Sequence, residues 1–170
     1  MTLISRLILA ASLATACNSE PRRAPAPVAS VATAASVTTP SSKPQFIRWQ
    51  TGGLPLEQFV QSEFERAENE SARVLVYVGA TWCEPCKHFH EAIEHGDLDQ
   101  DLAGTRFLEF DLDQHGEQLK AAGYRSKYIP LLAVPDPDGR ASSRMIEGSI
   151  KGPGAVRENL LPRLRELLAR

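Results

Sequence analysis

The chain has 170 residues, of which 42% are hydrophobic and 24% charged, with a formal net charge of −2; this suits one ordinary globular domain with a single core. Arg22-Arg23 is its only basic cluster, so the electrostatic footprint for nucleic-acid binding as a main activity is missing. The three cysteines divide into a close pair, Cys83 and Cys86, and a lone Cys17 near the start, and the odd thiol needs its own account.

Residues 1–16 place Arg6 before a short apolar run, Leu7 to Leu13, followed by small residues. That is the layout of a secretion signal, and the run is shorter than the roughly 20 apolar residues needed to span a bilayer. Leu13-Ala14-Thr15-Ala16-Cys17 resembles the lipobox of bacterial lipoproteins, where the signal is cut just before a cysteine that becomes lipid-modified and is the new N-terminus. The resemblance implies lipidation of Cys17, although Ala14 departs from the large aliphatic usual at its position. The alternative is an ordinary signal peptide cut near Ala16, leaving Cys17 a free thiol. Lipidation is preferred, because the small residues, the position of the cysteine and the stretch after it agree, and it would remove the stray thiol from redox chemistry.

Residues 17–45 are read as a disordered tether. From Asn18 to Pro44 they are almost entirely Ala, Pro, Ser, Thr and Val, with no aromatic residue, and cannot bury enough surface to offset the entropy of ordering. As a flexible coil the segment would hold the following domain roughly 30 Å from its anchor. The plainer alternative is a secretion remnant of no selected length.

The domain, residues 46–170, reads as strand, helix, strand, helix, strand, helix, strand, strand, helix. Phe46 to Trp49 suits a short edge strand. Leu56, Phe59, Val60, Phe64 and Ala67 recur at helical spacing after Pro55. Val74 to Val78 is rich in β-branched residues and reads as a buried strand, and Phe89 and Ile93 share one face of a helix after Cys83. Thr105 to Phe110 is a further strand. A short helix around Glu117 to Ala122 stops at Gly123, and His95 and His115, beside Gly96 and Gly116, read as loop residues. Leu131–Val134 and Ser143–Glu147 flank the turn-forming Asp136-Pro137-Asp138-Gly139, predicting a hairpin. A last amphipathic helix runs from Val156 to Leu168, with Pro162 either kinking it or marking a restart.

Trp82-Cys83-Glu84-Pro85-Cys86-Lys87 carries the chemistry. Pro85 suits the first turn of a helix, where its missing N–H is not needed, and so Cys83 falls at a helix N-terminus. Unpaired backbone N–H groups and the positive end of the helix dipole there stabilise a thiolate, the reactive form in disulfide exchange.

With these elements placed, the segment from about Phe46 to Arg170 resembles the thioredoxin family. Trp82 to Lys87 is similar to the family's Trp-Cys-x-Pro-Cys-Lys site, Asp111-Leu112-Asp113-Gln114 falls at the acidic strand end, and Tyr128-Ile129-Pro130 is similar to the cis-proline segment. The resemblance implies an α/β thioredoxin fold, a central mixed β-sheet with helices on both faces. It implies a cis Ile129–Pro130 bond, with the Ile129 backbone beside the cysteines to hold a bound peptide. Trp82 would then belong to the substrate surface. Tyr77 replaces a frequent buried acid that helps move protons, Gly79 a usual aromatic, and Leu131 a frequent Thr. The short connection from Asp113 to Pro130 leaves no room for the helical insertions of larger disulfide oxidases.

On this reading Cys83, exposed at the helix start, is the nucleophile. Cys86, one turn in and more buried, resolves the mixed disulfide, and no cofactor beyond the pair is needed. Trp82, Glu84, Pro85 and Lys87 are its neighbours. Glu84 disfavours a thiolate by repulsion and tilts the expectation toward a reductant, unless it is simply a solvated acid at a helix N-terminus; Lys87 and the dipole act the other way. Cys-Glu-Pro-Cys is similar to the site of extracytoplasmic thioredoxin-like reductases that serve cytochrome c maturation. The expected partners are protein disulfides or dithiols, a membrane electron donor and a membrane reached through the lipid anchor, with the chain a monomer outside the cytoplasm, facing the periplasm or on the cell surface. Two alternatives stay open. Cys83, Cys86 and His90 could hold copper or zinc, since Cys86 and His90 share a helix face, though the histidines read better as surface groups; or the fold could serve only to bind peptides.

Overall fold

The computed structural model describes residues 43–169. The secretion signal read over residues 1–16, Cys17 and nearly all of the tether lie outside the described residues. The domain follows the expected order of elements: β1 (Gln45–Arg48), α1 (Leu56–Asn69), β2 (Arg73–Gly79), α2 (Glu84–Glu94), β3 (Thr105–Asp111), α3 (Leu112–Ala121), β4 (Leu131–Pro135), β5 (Ala141–Glu147) and α4 (Leu161–Leu168).

The five strands form one sheet in the order β1-β3-β2-β4-β5. β1, β3 and β2 run parallel, β4 is antiparallel to β2, and β5 closes a hairpin with β4. The apolar run of β2 lies at the centre because both its faces are covered. Val74, Val76 and Val78 join a cluster with Leu56 and Val60 of α1 and Leu119 of α3; Leu75 and Tyr77 join Cys86 and Phe89 of α2 and Leu164 of α4 on the other face. Alternation along a strand sends neighbours to opposite faces, so two cores form on the two sides of one sheet. Each fully buried Leu or Phe contributes roughly 1.5–3 kcal/mol. This is the thioredoxin fold, as the resemblance implied.

One element differs from its sequence reading, and another decides between the two alternatives left open for it. α3 begins at Leu112, well before Glu117, because Asp111 Oδ1 caps it, accepting from the N–H groups of Asp113 and Gln114 at 2.9 and 3.0 Å. Gly116, read as a loop glycine, lies inside the helix, and His115 is buried rather than in a loop. At the C-terminal end Pro162 marks a restart: a π-helical turn, Val156–Leu160, precedes α4. Proline offers no N–H to the carbonyl one α-helical turn back, so regular helix cannot run through it. Among the described residues, no helix is long and apolar enough to cross a membrane.

Candidate functional site

β2 delivers the chain to the carboxyl edge of the sheet, and Cys83 N–H donates to the Ala80 carbonyl in the turn that follows. Cys83 is the N-cap of α2, with extended backbone angles, and its sulfur accepts from the Cys86 N–H at 3.3 Å. Pro85 sits in the first turn. A disulfide joins Cys83 and Cys86, with Cα atoms 5.2 Å apart. Cys83 was expected to be exposed, yet in this disulfide form it is 4% accessible, close to the 2% of Cys86, because its sulfur is turned inward onto the helix N-terminus.

What separates the two cysteines is the space each one faces. Cys83 lines an outer groove of about 680 Å³, together with Trp82, Pro85, Tyr128, Ile129 and Ile150. Cys86 lines a different, polar cleft of about 720 Å³ on the inner side of the motif.

The outer groove is walled by apolar side chains that the core has not absorbed: Trp82 is 63% exposed, Tyr128 57% and Ile150 46%. The Ile129–Pro130 peptide bond is cis, as the resemblance implied; Ile129 lines the groove, and Pro130 is buried. Trp82 is pinned by its indole N–H, which donates to Asp113 Oδ2 at 2.9 Å. Glu147 Oε2 accepts from the backbone N–H groups of Lys127 and Tyr128, at 2.7 and 3.3 Å. Glu84 is more than a solvated acid: its Oε1 accepts from the Gly152 N–H at 2.9 Å, tying the loop after β5 to the start of α2.

The inner cleft is lined by Cys86, Tyr77, Gly79, Lys87, His90 and Glu109, with Arg48, Asp111 and His115 further along. Tyr77 and Glu109 are register partners across β2 and β3, so both project toward α2. Glu109 Oε1 lies 2.9 Å from His90 Nε2, and its Oε2 accepts from Arg48 Nε at 2.6 Å. Burial would push the Glu109 carboxyl up; the hydrogen bonds from His90 and Arg48, reinforced by the guanidinium charge of Arg48, outweigh it and hold the group below its ordinary value. Phe46 stacks on the His90 ring at 4.0 Å between centroids, and Tyr77 meets it edge-on at 5.4 Å. Burial, aided by the charge of Glu109, pushes the Tyr77 phenol up, and its hydroxyl has no hydrogen-bond partner. His115 accepts the Asp111 N–H on Nδ1 at 3.0 Å, and burial lowers its imidazole against the opposing charge of Asp111.

Trp82, Cys83, Glu84, Pro85 and Ile129 thus meet at one groove, whereas Lys87 falls with Cys86 on the inner side. His90, expected at the surface, is half-buried against Glu109. The metal alternative finds no ligand set: among the described residues no group of three or more His, Cys, Asp or Glu side chains is placed to hold an ion. Glu109 and Arg48 were not singled out in the sequence as site residues, and Asp113 was noted only as part of the acidic strand end. For Glu109 a signal existed, since a single acid interrupts the apolar run of Phe107, Leu108 and Phe110.

No protein-family model matches the chain. Over 62 residues it is 29% identical to a protein named Thioredoxin Asp f 29 from Aspergillus fumigatus; the match covers 36% of this chain and 56% of the relative, so the chain spans about half of that protein's length. Among solved structures it is similar to a mutant thioredoxin from Halobacterium salinarum NRC-1, at 20% identity and a TM-score of 0.41, over 71% of this chain and 90% of the other. A disulfide-forming pair at a helix N-terminus of a thioredoxin fold is consistent with thiol–disulfide redox chemistry and with interaction with protein thiols and disulfides.

Proposed function

We propose that this protein is an extracytoplasmic thiol–disulfide oxidoreductase that exchanges disulfides with other proteins, acts as a reductant, and is held at a membrane by a lipid on Cys17. The observation that carries the chemistry is the placement of Cys83: it caps α2 and lines an apolar groove beside the cis Ile129–Pro130 bond, with Trp82 and Tyr128 exposed on either side. The groove offers apolar surface and the Ile129 backbone to an extended peptide. In the reduced protein the Cys83 thiolate, stabilised at the helix N-terminus, attacks a substrate disulfide and forms a mixed disulfide. Cys86, one helical turn on, displaces the substrate thiol.

Glu84 supports the reductive direction, since its charge beside Cys83 disfavours the thiolate, the weaker leaving group being the one harder to displace from its own disulfide. The run Leu13-Ala14-Thr15-Ala16-Cys17 and the Ala-, Pro-, Ser- and Thr-rich stretch after it support the anchor. A donor of electrons at the membrane would restore the dithiol.

The test is reduction of insulin by dithiothreitol, with and without the purified protein. Acceleration is expected from the native chain and none from Cys83→Ser; a native chain no faster than dithiothreitol alone would overturn the reading. Equilibration of the pair with glutathione then fixes the direction, a reductant being the form that stays oxidised in buffers rich in reduced glutathione.

A further inference from the structure

This inference rests on the thiol–disulfide reading and concerns the proton that the reaction must move. A disulfide is attacked by a thiolate, so Cys86 must lose its proton before it can resolve a mixed disulfide. Cys86 is 2% accessible, and burial in apolar surroundings raises a thiol's pKa. The proton therefore needs an acceptor within the protein, and Cys86 faces the inner cleft, away from the substrate groove.

The groups around that cleft narrow the choice. Tyr77 on β2 is held as a neutral phenol and is a donor. Arg48 on β1 and Lys87 on α2 have no acceptor atoms on their cationic heads. Asp111 spends a carboxylate oxygen capping α3, and His115 on α3 spends Nδ1 on the Asp111 N–H. His90 lies one helical turn beyond Cys86, on the same face of α2. Its Nε2 lies 2.9 Å from the ionised Glu109 of β3, so Nε2 carries a hydrogen and, in the neutral ring, Nδ1 is the nitrogen with a lone pair to accept. Glu94, one turn further along α2, acts on Arg48. Cys86 and His90 line the same cleft, whose volume of about 720 Å³ has room for water molecules.

We propose that the His90–Glu109 pair is the proton acceptor for Cys86, the inner cleft carrying the proton between them. In the mixed disulfide, Cys83 Sγ is bonded to a substrate sulfur. The Cys86 S–H proton passes to His90 Nδ1, and the Cys86 sulfur attacks Cys83 Sγ. The Cys83–Cys86 bond forms as the bond from Cys83 to the substrate sulfur breaks, and that sulfur leaves with the electron pair and takes a proton from solvent. The pair of cysteines is oxidised by two electrons and the substrate disulfide is reduced by two. Glu109 is a positioning residue: it orients the imidazole and stabilises the imidazolium.

The test follows the reduced full chain, carrying Cys17→Ser so that only the pair reports, after mixing with dithiobis(nitrobenzoate). Release of the coloured thiolate is expected in two phases, attack by Cys83 and then resolution by Cys86. His90→Gln is expected to slow the second phase about tenfold or more while leaving the first unchanged, and to replace a bending pH profile of the second phase with one proportional to hydroxide. Glu109→Gln should slow it less and shift the bend. A second phase with the native rate and pH profile in folded His90→Gln would overturn the proposal. So would a native second phase that is flat across pH 5–8, an outcome that needs no variant. Failure to reduce insulin alongside two intact, His90-dependent phases would sink the protein-substrate reading while sustaining the proton acceptor.

Discussion

At the residue scale, Tyr77 and Gly79 depend on each other. A Cβ on Gly79 would lie 2.6 Å from the Tyr77 hydroxyl oxygen and 3.0 Å from Cζ, so the missing side chain of one residue is the space occupied by the other. The sequence showed two separate departures from the thioredoxin pattern at these positions; they are one exchange of volume. The buried hydroxyl without a partner predicts that Tyr77→Phe leaves stability unchanged or raises it by up to about 1 kcal/mol. Gly79→Ala should cost about 1–3 kcal/mol through overpacking, and less in the Tyr77→Phe background. Urea midpoints of the oxidised protein measure both. A Tyr77→Phe variant destabilised by more than about 1 kcal/mol would show that the hydroxyl is bonded in solution. Glu109 belongs to the same neighbourhood but was missed in the sequence, because its role depends on β2, β3, β1 and α2 meeting across large separations.

At the element scale, β3 is tied to α1 by an ion cluster. Arg106 is 7% exposed and reaches Glu63 Oε2 at 2.7 Å and Glu70 Oε2 at 2.6 Å. Buried ion pairs are weak evidence for stability as a whole, yet removing one partner strands the other charge. Arg106→Ala is therefore expected to cost about 3–5 kcal/mol, whereas Arg106→Met with Glu63→Leu should recover much of it; denaturant midpoints with unchanged m-values are the check. A small loss in Arg106→Ala would mean that water reaches the carboxylates. The helices and strands themselves were largely legible, since β2 announces itself by β-branched residues and α1 by its apolar spacing. The start of α3 was not: Gly116 drew attention as a breaker, while the capping value of Asp111 becomes visible only once β3 ends there. Similarly, Gly139 read as a turn residue, but it is also a close approach, since a side chain there would overlap the Glu57 carbonyl of α1.

At the scale of the whole molecule, the domain turns one motif into two environments. The sheet edge and the start of α2 place Cys83 on an apolar groove and Cys86 on a polar cleft, a division on which the proposed exchange chemistry relies. The proposed anchor predicts that the native chain fractionates with membranes and that Cys17→Ala does not. Cys17→Ala in the membrane pellet, resistant to salt and alkaline washing, would sink the lipid anchor. Local pattern alone was enough for the order of elements, the disulfide spacing and the helix that receives it, because strand propensity, helical periodicity and the fixed backbone of Pro85 act over a few residues. The inward turn of Cys83, the coupling of Tyr77 to Gly79 and the assembly of His90, Glu109 and Arg48 were decided by tertiary packing. Those contacts join residues far apart in the chain, and no short-range preference encodes which side chain will meet which across a folded sheet.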